Sequence, residues 1–145
     1  MKKNINQIVF EIFNKINEIK NLEHLKQTHD LENNIFNSPP NQDSSHITHG
    51  IIHKNKVVAH IRHKELYSDL DSSKKGTKII SLVVHPDHQK KSYGSKLIKH
   101  LQKKYHFIYS GTDNESNKEA MTKLHNKLGF KKTNKNSYLW TKNLQ

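Results

Sequence analysis

Apolar and polar positions along this chain follow two different periods, and each change of period marks an element. From Ile79 to Val84 the residues are apolar and mostly β-branched around a single Ser81, as a strand covered on both faces requires. Pro86 removes the donor needed to extend a ladder, so this strand stops near His85. Leu97, Ile98 and Leu101 then recur at helical spacing, which predicts a helix to about residue 104. Upstream, Ile5, Ile8, Val9, Ile12, Ile16 and Ile19, separated by Glu11, Lys15 and Glu18, predict an amphipathic helix over 4–20, with a second helix over 22–36. Residues 37–45, with Pro39 and Pro40 and no apolar anchor, read as a loop.

Segments 47–53 and 56–66 predict an antiparallel hairpin turning around Lys54, Asn55 and Lys56. Its second strand puts Val58, His60 and Arg62 on one face and Val57, Ala59 and Ile61 on the other. Residues 67–77, with Asp69, Asp71, Ser72, Ser73 and Gly76, read as a polar connection. A strand over 106–110, a helix over 116–128 and a closing hairpin of 130–133 with 138–141 complete the chain, and no repeat is visible. The order predicts one mixed α/β domain spanning 1–145.

The composition narrows the chemistry. With no cysteine there is no disulfide, no cysteine nucleophile and no thiolate metal site. No apolar run is long enough for a membrane span, and the N-terminal pattern is not that of a signal peptide, so the expected location is the cytoplasm. A net charge of +12 with a mean hydropathy of −0.94 favours disorder on composition alone, but the clear periodicity argues for a packed core. The positive charge is almost all lysine, Arg62 being the single arginine. Planar phosphate recognition favours arginine, so the lysines read mainly as solvated surface able to draw in anions, nucleic acid included.

Twelve histidines invite a metal reading. The pairs His60/His63 and His85/His88 carry it only weakly: the first lies on a predicted strand, where a spacing of three points side chains to opposite faces, and no acidic partner is set close by it. No metal is therefore expected. Tyr105, Phe107 and Tyr109 could suggest a nucleic-acid surface, but alternating aromatics on one strand are more simply explained by sheet packing.

Two segments carry the functional signal. Gln89 to Ser95 supply small or flexible residues immediately before an amphipathic helix, where free N–H groups and the positive end of the helix dipole converge on an anion. Downstream, Ala120 to Phe130 reads as a helix end, with Gly129 as its C-terminal stop. Together they resemble the GNAT superfamily of N-acetyltransferases. The acetyl-CoA signature of that family is Gln/Arg-Xaa-Xaa-Gly-Xaa-Gly/Ala after a Val-Xaa-Pro strand end. Here Val84-His85-Pro86 is followed by Gln89-Lys90-Lys91-Ser92-Tyr93-Gly94, with Ser92 where the first glycine stands. The family's Leu-Tyr-Xaa-Lys-Xaa-Gly-Phe is matched by Leu124 to Phe130, with His125 at the tyrosine position.

The resemblance implies a GNAT-like acyl-CoA N-acyltransferase fold whose first strand is absent or only a few residues long. It implies acetyl-CoA as cosubstrate, with the pantetheine arm lying along backbone groups of Leu82, Val83 and Val84 and an N–H near Leu82 polarising the thioester carbonyl. The pyrophosphate would sit on Gln89, Lys90, Lys91, Ser92, Tyr93, Gly94 and Ser95, with Lys96 adding charge. His125 is the candidate catalytic residue, its alternative being a packing role at the helix end. The family's helix-start asparagine falls on Lys118, one residue after Asn117. Lys78 stands where some relatives carry a basic carboxylate, which leaves His60, Ser81 and His85 as alternatives for the base, each read in preference as structural. The activity implied is direct acetyl transfer to an amine of unknown identity on a small molecule or a peptide, by a monomer or homodimer. The rival reading is a catalytically degenerate relative that binds CoA or nucleic acid through its basic surface.

Overall fold

The computed structural model describes residues 15–37, 43–67, 74–111 and 118–142. The elements within them are strand β1 (Ile16–Glu18), helix α1 (Leu22–Phe36), strands β2 (His46–His53), β3 (Lys56–Tyr67) and β4 (Lys75–Val84), a 3₁₀ turn (Pro86–His88), helix α2 (Tyr93–Lys104), strand β5 (Phe107–Gly111), helix α3 (Lys118–Lys127) and strands β6 (Lys131–Asn134) and β7 (Ser137–Thr141). The strands form one sheet in the order β1-β2-β3-β4-β5-β7-β6. All neighbours are antiparallel except β4 and β5, which run parallel. This is the mixed α/β architecture expected from the sequence.

Local chemistry explains most boundaries. Helix α1 covers the residues predicted for it because the Asn21 side chain accepts hydrogen bonds from the amides of Glu23 and His24 at 2.8 and 3.2 Å, and Asn37 closes the other end at φ 55°. The β2–β3 hairpin turns through Lys54 and Asn55 at φ 51° and 63°, the left-handed pair that a two-residue hairpin loop needs. Gly129, at φ 85°, ends α3 as expected, with the Phe130 amide bonded to the His125 carbonyl at 2.9 Å.

Two expectations change. The predicted helix over 4–20 does not extend to its end: Ile16–Glu18 is an edge strand, registered with Ile51, Gly50 and His49, and the Ile19 amide bonds the Thr48 carbonyl at 2.8 Å. Ile16 and Ile19 satisfy helical spacing and strand packing alike, and here the open edge of β2 supplies the backbone partners. Residues 4–14 of that prediction lie outside the described residues. The sheet thus has its first strand, shortened to three residues.

The polar connection is also shorter than 67–77. Tyr67 pairs with Lys75, so β3 and β4 continue into it from both sides, and Asp69, Asp71, Ser72 and Ser73 lie outside the described residues. Gly76 lets Phe107 approach so closely that a Cβ on it would clash with the Phe107 ring. The remaining boundaries differ by a residue or two from prediction; Ser116 and Asn117 are not among the described residues.

The core lies against β3 and β4. Both faces of β3 are covered from Val57 to His63. On one side Leu97, Ile98 and Leu101 of α2 are fully buried in a cluster with Ile51, Ala59, Ile61 and Ile108. On the other, α1 brings Glu32 onto His60 and Arg62. Burying such aliphatic side chains contributes about 1.5–3 kcal/mol each and positions the strand that carries the site.

Candidate active site

The site begins where the sheet opens. Strand β4 runs for ten residues, yet it pairs with β5 only through Gly76, Thr77 and Lys78, opposite Phe107, Ile108 and Tyr109. From Ile79 onward no register with β5 continues, so among the described residues β4 has a free edge in the middle of the sheet. The direction of its amides follows from one bond. The His85 N–H donates to the Val58 carbonyl at 2.8 Å, so His85 and Val83 turn their backbone groups toward β3. Alternation then turns those of Leu82 and Val84 toward the opening. Val83 is buried, whereas Leu82 and Val84 are half-buried and pack on the core.

The opening leads directly to the turn before α2. The His85 side chain accepts from the Asp87 amide at 3.1 Å and starts the 3₁₀ turn. Gln89, Lys90, Lys91 and Ser92 are exposed. Lys90 and Ser92 both take left-handed conformations, at φ 65° and 62°. Ser92 therefore occupies the conformation that the glycine of the signature would adopt without strain, and it does so as the N-cap residue of α2 while making no side-chain capping bond. The amides of the first turn of α2 are thus left without a side-chain cap, at the positive end of a helix dipole. Lys96 lies 5.4 Å over the Tyr93 ring, on the same turn. Ser95 is buried, and Gly94 sits between Leu82 and Leu124, each 3.6 Å from where its Cβ would be.

That last contact brings α3 to the site. His125, next to Leu124, is fully buried, stacked on Tyr138 at 4.3 Å between ring centroids and tilted against Phe130 at 5.0 Å. Its Nε2 lies 2.7 Å from the Ser110 hydroxyl, one residue beyond the last β4–β5 pair. Its Nδ1 is buried with no partner among the described residues. Burial lowers the imidazole to about 4, so His125 is neutral at pH 7.

On the opposite face of the sheet lies a charged cluster. Glu32 accepts from Arg62 Nη2 at 2.7 Å and Nε at 3.2 Å, and from His60 Nε2 at 3.0 Å. Arg62 Nη1 also reaches His46 Nδ1 at 2.6 Å. Burial pushes the Glu32 carboxyl up, but the hydrogen bonds from His60 and Arg62 outweigh that and hold it at about 2. This corrects the sequence-based view that no acidic partner stands near His60: the partner comes from α1, 28 residues away. His60 and His63 do face opposite sides, His63 bonding Thr77 and His49 on the α2 face.

Of the predicted site residues, then, Leu82, Val84 and Gln89 to Ser95 form one continuous edge and turn. Val83, expected on the same edge, turns its backbone groups to β3 because strand alternation puts it out of phase. His125 follows Leu124, which packs at Gly94. His85 is used in capping the 3₁₀ turn, and Lys78 is exposed on the last paired position. Glu32 and Ser110 went unnoticed. Glu32 had a readable signal, because it continues the Leu25, Thr28, Leu31 stripe of α1 as a carboxylate on the inward face. Among the described residues no group of three or more histidine, aspartate or glutamate side chains is arranged to hold a metal ion, and no helix is long and apolar enough to cross a membrane.

Solved structures share this fold. An Arabidopsis thaliana NAA60 in complex with acetyl-CoA superposes with a TM-score of 0.69 at 14% identity, covering 88% of this chain and 96% of that one. An aminoglycoside 6'-N-acetyltransferase complexed with coenzyme A gives 0.70 at 16% identity, covering 87% and 96%. The aminoglycoside 6'-N-acetyltransferase from Enterococcus faecium gives 0.68 at 16% identity with the same coverage, 87% and 96%. No curated protein sequence matches the chain. The family model described as Acetyltransferase (GNAT) family matches residues 7–130, which span the open strand edge, the turn before α2 and α3, and the chain belongs to that family.

Proposed function

We propose that this protein transfers the acetyl group of acetyl-CoA directly to an amine. The observation that carries this reading is the open edge of β4, where the amides of Leu82 and Val84 face a gap that ends at the uncapped N-terminus of α2. An extended pantetheine arm has the shape of a missing strand and would pair with the backbone groups of Leu82 and Val84, Val83 lying between them with its own groups turned to β3. The pyrophosphate would follow onto the amides of Gln89, Lys90, Lys91, Ser92, Tyr93, Gly94 and Ser95. There the thioester carbonyl would meet the Leu82 N–H, a fixed donor aimed at the charge that grows as the amine attacks.

On this reading His125 serves the leaving sulfur. With the Ser110 hydroxyl donating to Nε2, the remaining hydrogen sits on Nδ1, the atom that has no partner. A neutral N–H of this kind stabilises a departing thiolate by hydrogen bonding, without first having to be charged in a buried place. The acceptor is an amine on a small molecule or a peptide; the relatives named above act on aminoglycosides or belong to the NAA60 type, and neither narrows the choice.

The test is to incubate the protein with acetyl-CoA and aminoglycoside, polyamine and peptide amines, and to follow free thiol. Turnover with at least one of them supports transfer. Saturable coenzyme binding with no thiol release from any amine would instead favour a catalytically degenerate member.

A further inference from the structure

An acceptor amine is protonated at neutral pH and must lose a proton before its lone pair can attack. The structure supplies an unused base for that step. The Glu32 carboxylate is ionised, so the hydrogen in its 3.0 Å bond with His60 belongs to His60 Nε2. In the neutral imidazole Nδ1 is then a bare lone pair, and it is buried with no partner among the described residues. A carboxylate that orients an imidazole and leaves its other nitrogen bare is the arrangement of a histidine base.

The neighbouring strand carries a second orphan. The Ser81 hydroxyl is also buried and without a partner among the described residues. Ser81 stands directly opposite Arg62, and His60 directly opposite Val83, so His60 and Ser81 are diagonal neighbours on the face toward α1. Diagonal pairs are about 7–8 Å apart at the backbone, which leaves room for a bridging water with polar partners on both sides. Ser81 immediately precedes Leu82, whose amide faces the opening. A water between the two orphaned atoms would join the bare nitrogen to the strand position next to Leu82, where the thioester carbonyl is proposed to lie.

We propose that Ser81 and His60 form the proton exit for the acceptor ammonium, with Glu32 as a positioning residue. This rests on the transfer reaction proposed above. The ammonium N–H bond breaks and its proton passes through the bridging water, held by the Ser81 hydroxyl, to His60 Nδ1. The freed amine lone pair forms the C–N bond, and the C–S bond breaks with its electron pair leaving on sulfur. The second N–H proton, now on a positively charged nitrogen, passes to that thiolate to give the amide and the free thiol. The resulting imidazolium is held by Glu32 until it returns the proton to solvent after product leaves. The other charged and titratable groups of this cluster are Arg62 on β3, which bonds the same Glu32 carboxylate, and His46 on β2, which bonds Arg62.

The experiment compares two acceptors of the native protein: whichever amine of the panel above shows turnover, and hydroxylamine, which is already largely neutral at pH 7. His60→Gln keeps a donor for Glu32 but has no basic nitrogen. It is expected to lose about 100-fold in kcat/KM toward the protonated amine and at least tenfold less than that toward hydroxylamine, so that the ratio between acceptors shifts. Ser81→Ala, a smaller change at a site that makes no internal bond, should shift the same ratio in the same direction even if His60→Gln folds poorly. Equal losses toward both acceptors in the two variants, or no loss in either, would overturn the relay while leaving acetyl transfer standing. A native protein that binds coenzyme A and acetylates neither acceptor would overturn both.

Discussion

His49 Nδ1 lies 2.9 Å from His63 Nε2, and the hydrogen between them belongs to His49. The assignment follows from the far end of the chain of bonds. Thr77 donates its hydroxyl to the Lys64 carbonyl at 2.9 Å, so it must accept from His63 Nδ1 at 2.8 Å, which leaves His63 Nε2 as an acceptor. His49 Nε2 is then bare, buried and without a partner among the described residues, with His100 of α2 packed against it at 4.9 Å. Every member of this row is neutral, and an added proton must either charge the buried, unpartnered His49 Nε2 or break a bond of the row.

The row therefore sets an acid limit. Desolvation, aided by repulsion from His100 and Lys104, lowers His49 from 6.5 to about 4. Desolvation, aided by His49 and Lys104, lowers His63 to about 3, and desolvation alone lowers His125 to about 4. As pH falls below 6.5 the unfolded chain takes up protons that the folded chain refuses, so stability falls until the folded values are reached. Each of these histidines contributes about 1.4 kcal/mol of loss per pH unit in that window. Glu32 adds a separate loss, from 4.5 down to about 2, as its ion pair with Arg62 and the hydrogen bond it accepts from His60 are protonated away. Thermal unfolding between pH 7.5 and 4 should show a steep decline beginning near 6.5; a midpoint that stays flat to pH 5 would contradict burial of these imidazoles in the neutral form.

Removing the carboxylate from the charged cluster should be costly. Glu32→Ala leaves Arg62 and His60 facing each other in a buried place without an anion, a change worth about 3–5 kcal/mol of destabilisation. Denaturant unfolding of the variant checks this. A loss below about 1 kcal/mol would mean that water reaches the cluster.

Ser92 holds a conformation suited to glycine. Ser92→Gly should relieve that strain while adding freedom to the unfolded chain, for a net gain of about 0.5 kcal/mol and tighter coenzyme binding at the better-shaped turn. Calorimetric titration beside thermal unfolding reads both. Weaker binding in the variant would show that the serine side chain itself contributes to the turn's function.

His125 separates packing from chemistry. His125→Phe keeps an aromatic ring against Tyr138 and Phe130 but has no N–H for a leaving sulfur and strands the Ser110 hydroxyl. The account expects turnover to fall about 100-fold with coenzyme affinity little changed. Unaltered turnover would leave His125 as a core residue only.

How far the sequence was legible depended on whether the deciding interactions were local. Helix α1 could be read because its cap, Asn21, and its apolar stripe lie within the segment. The β4 strand and the turn to Ser95 could be read because Pro86 and the flexible residues after it act on their own neighbours. Strand β1 could not, because Ile16 and Ile19 suit both helix and strand and only the distant edge of β2 decides between them. The Glu32–His60–Arg62 cluster was hidden for the same reason, its members being joined by a contact between α1 and β3. Ser92 was identified as a departure from the glycine pattern, but its left-handed backbone became visible only with the fold.

The central claim is that the free edge of β4 and the amides leading into α2 hold the diphosphate-bearing carrier of an acetyl thioester. Isothermal titration of the folded protein with acetyl-CoA tests it most directly. The account predicts saturable, one-to-one binding that weakens as salt is raised, because positive charge near the turn assists it. No heat at millimolar acetyl-CoA from correctly folded protein would contradict it.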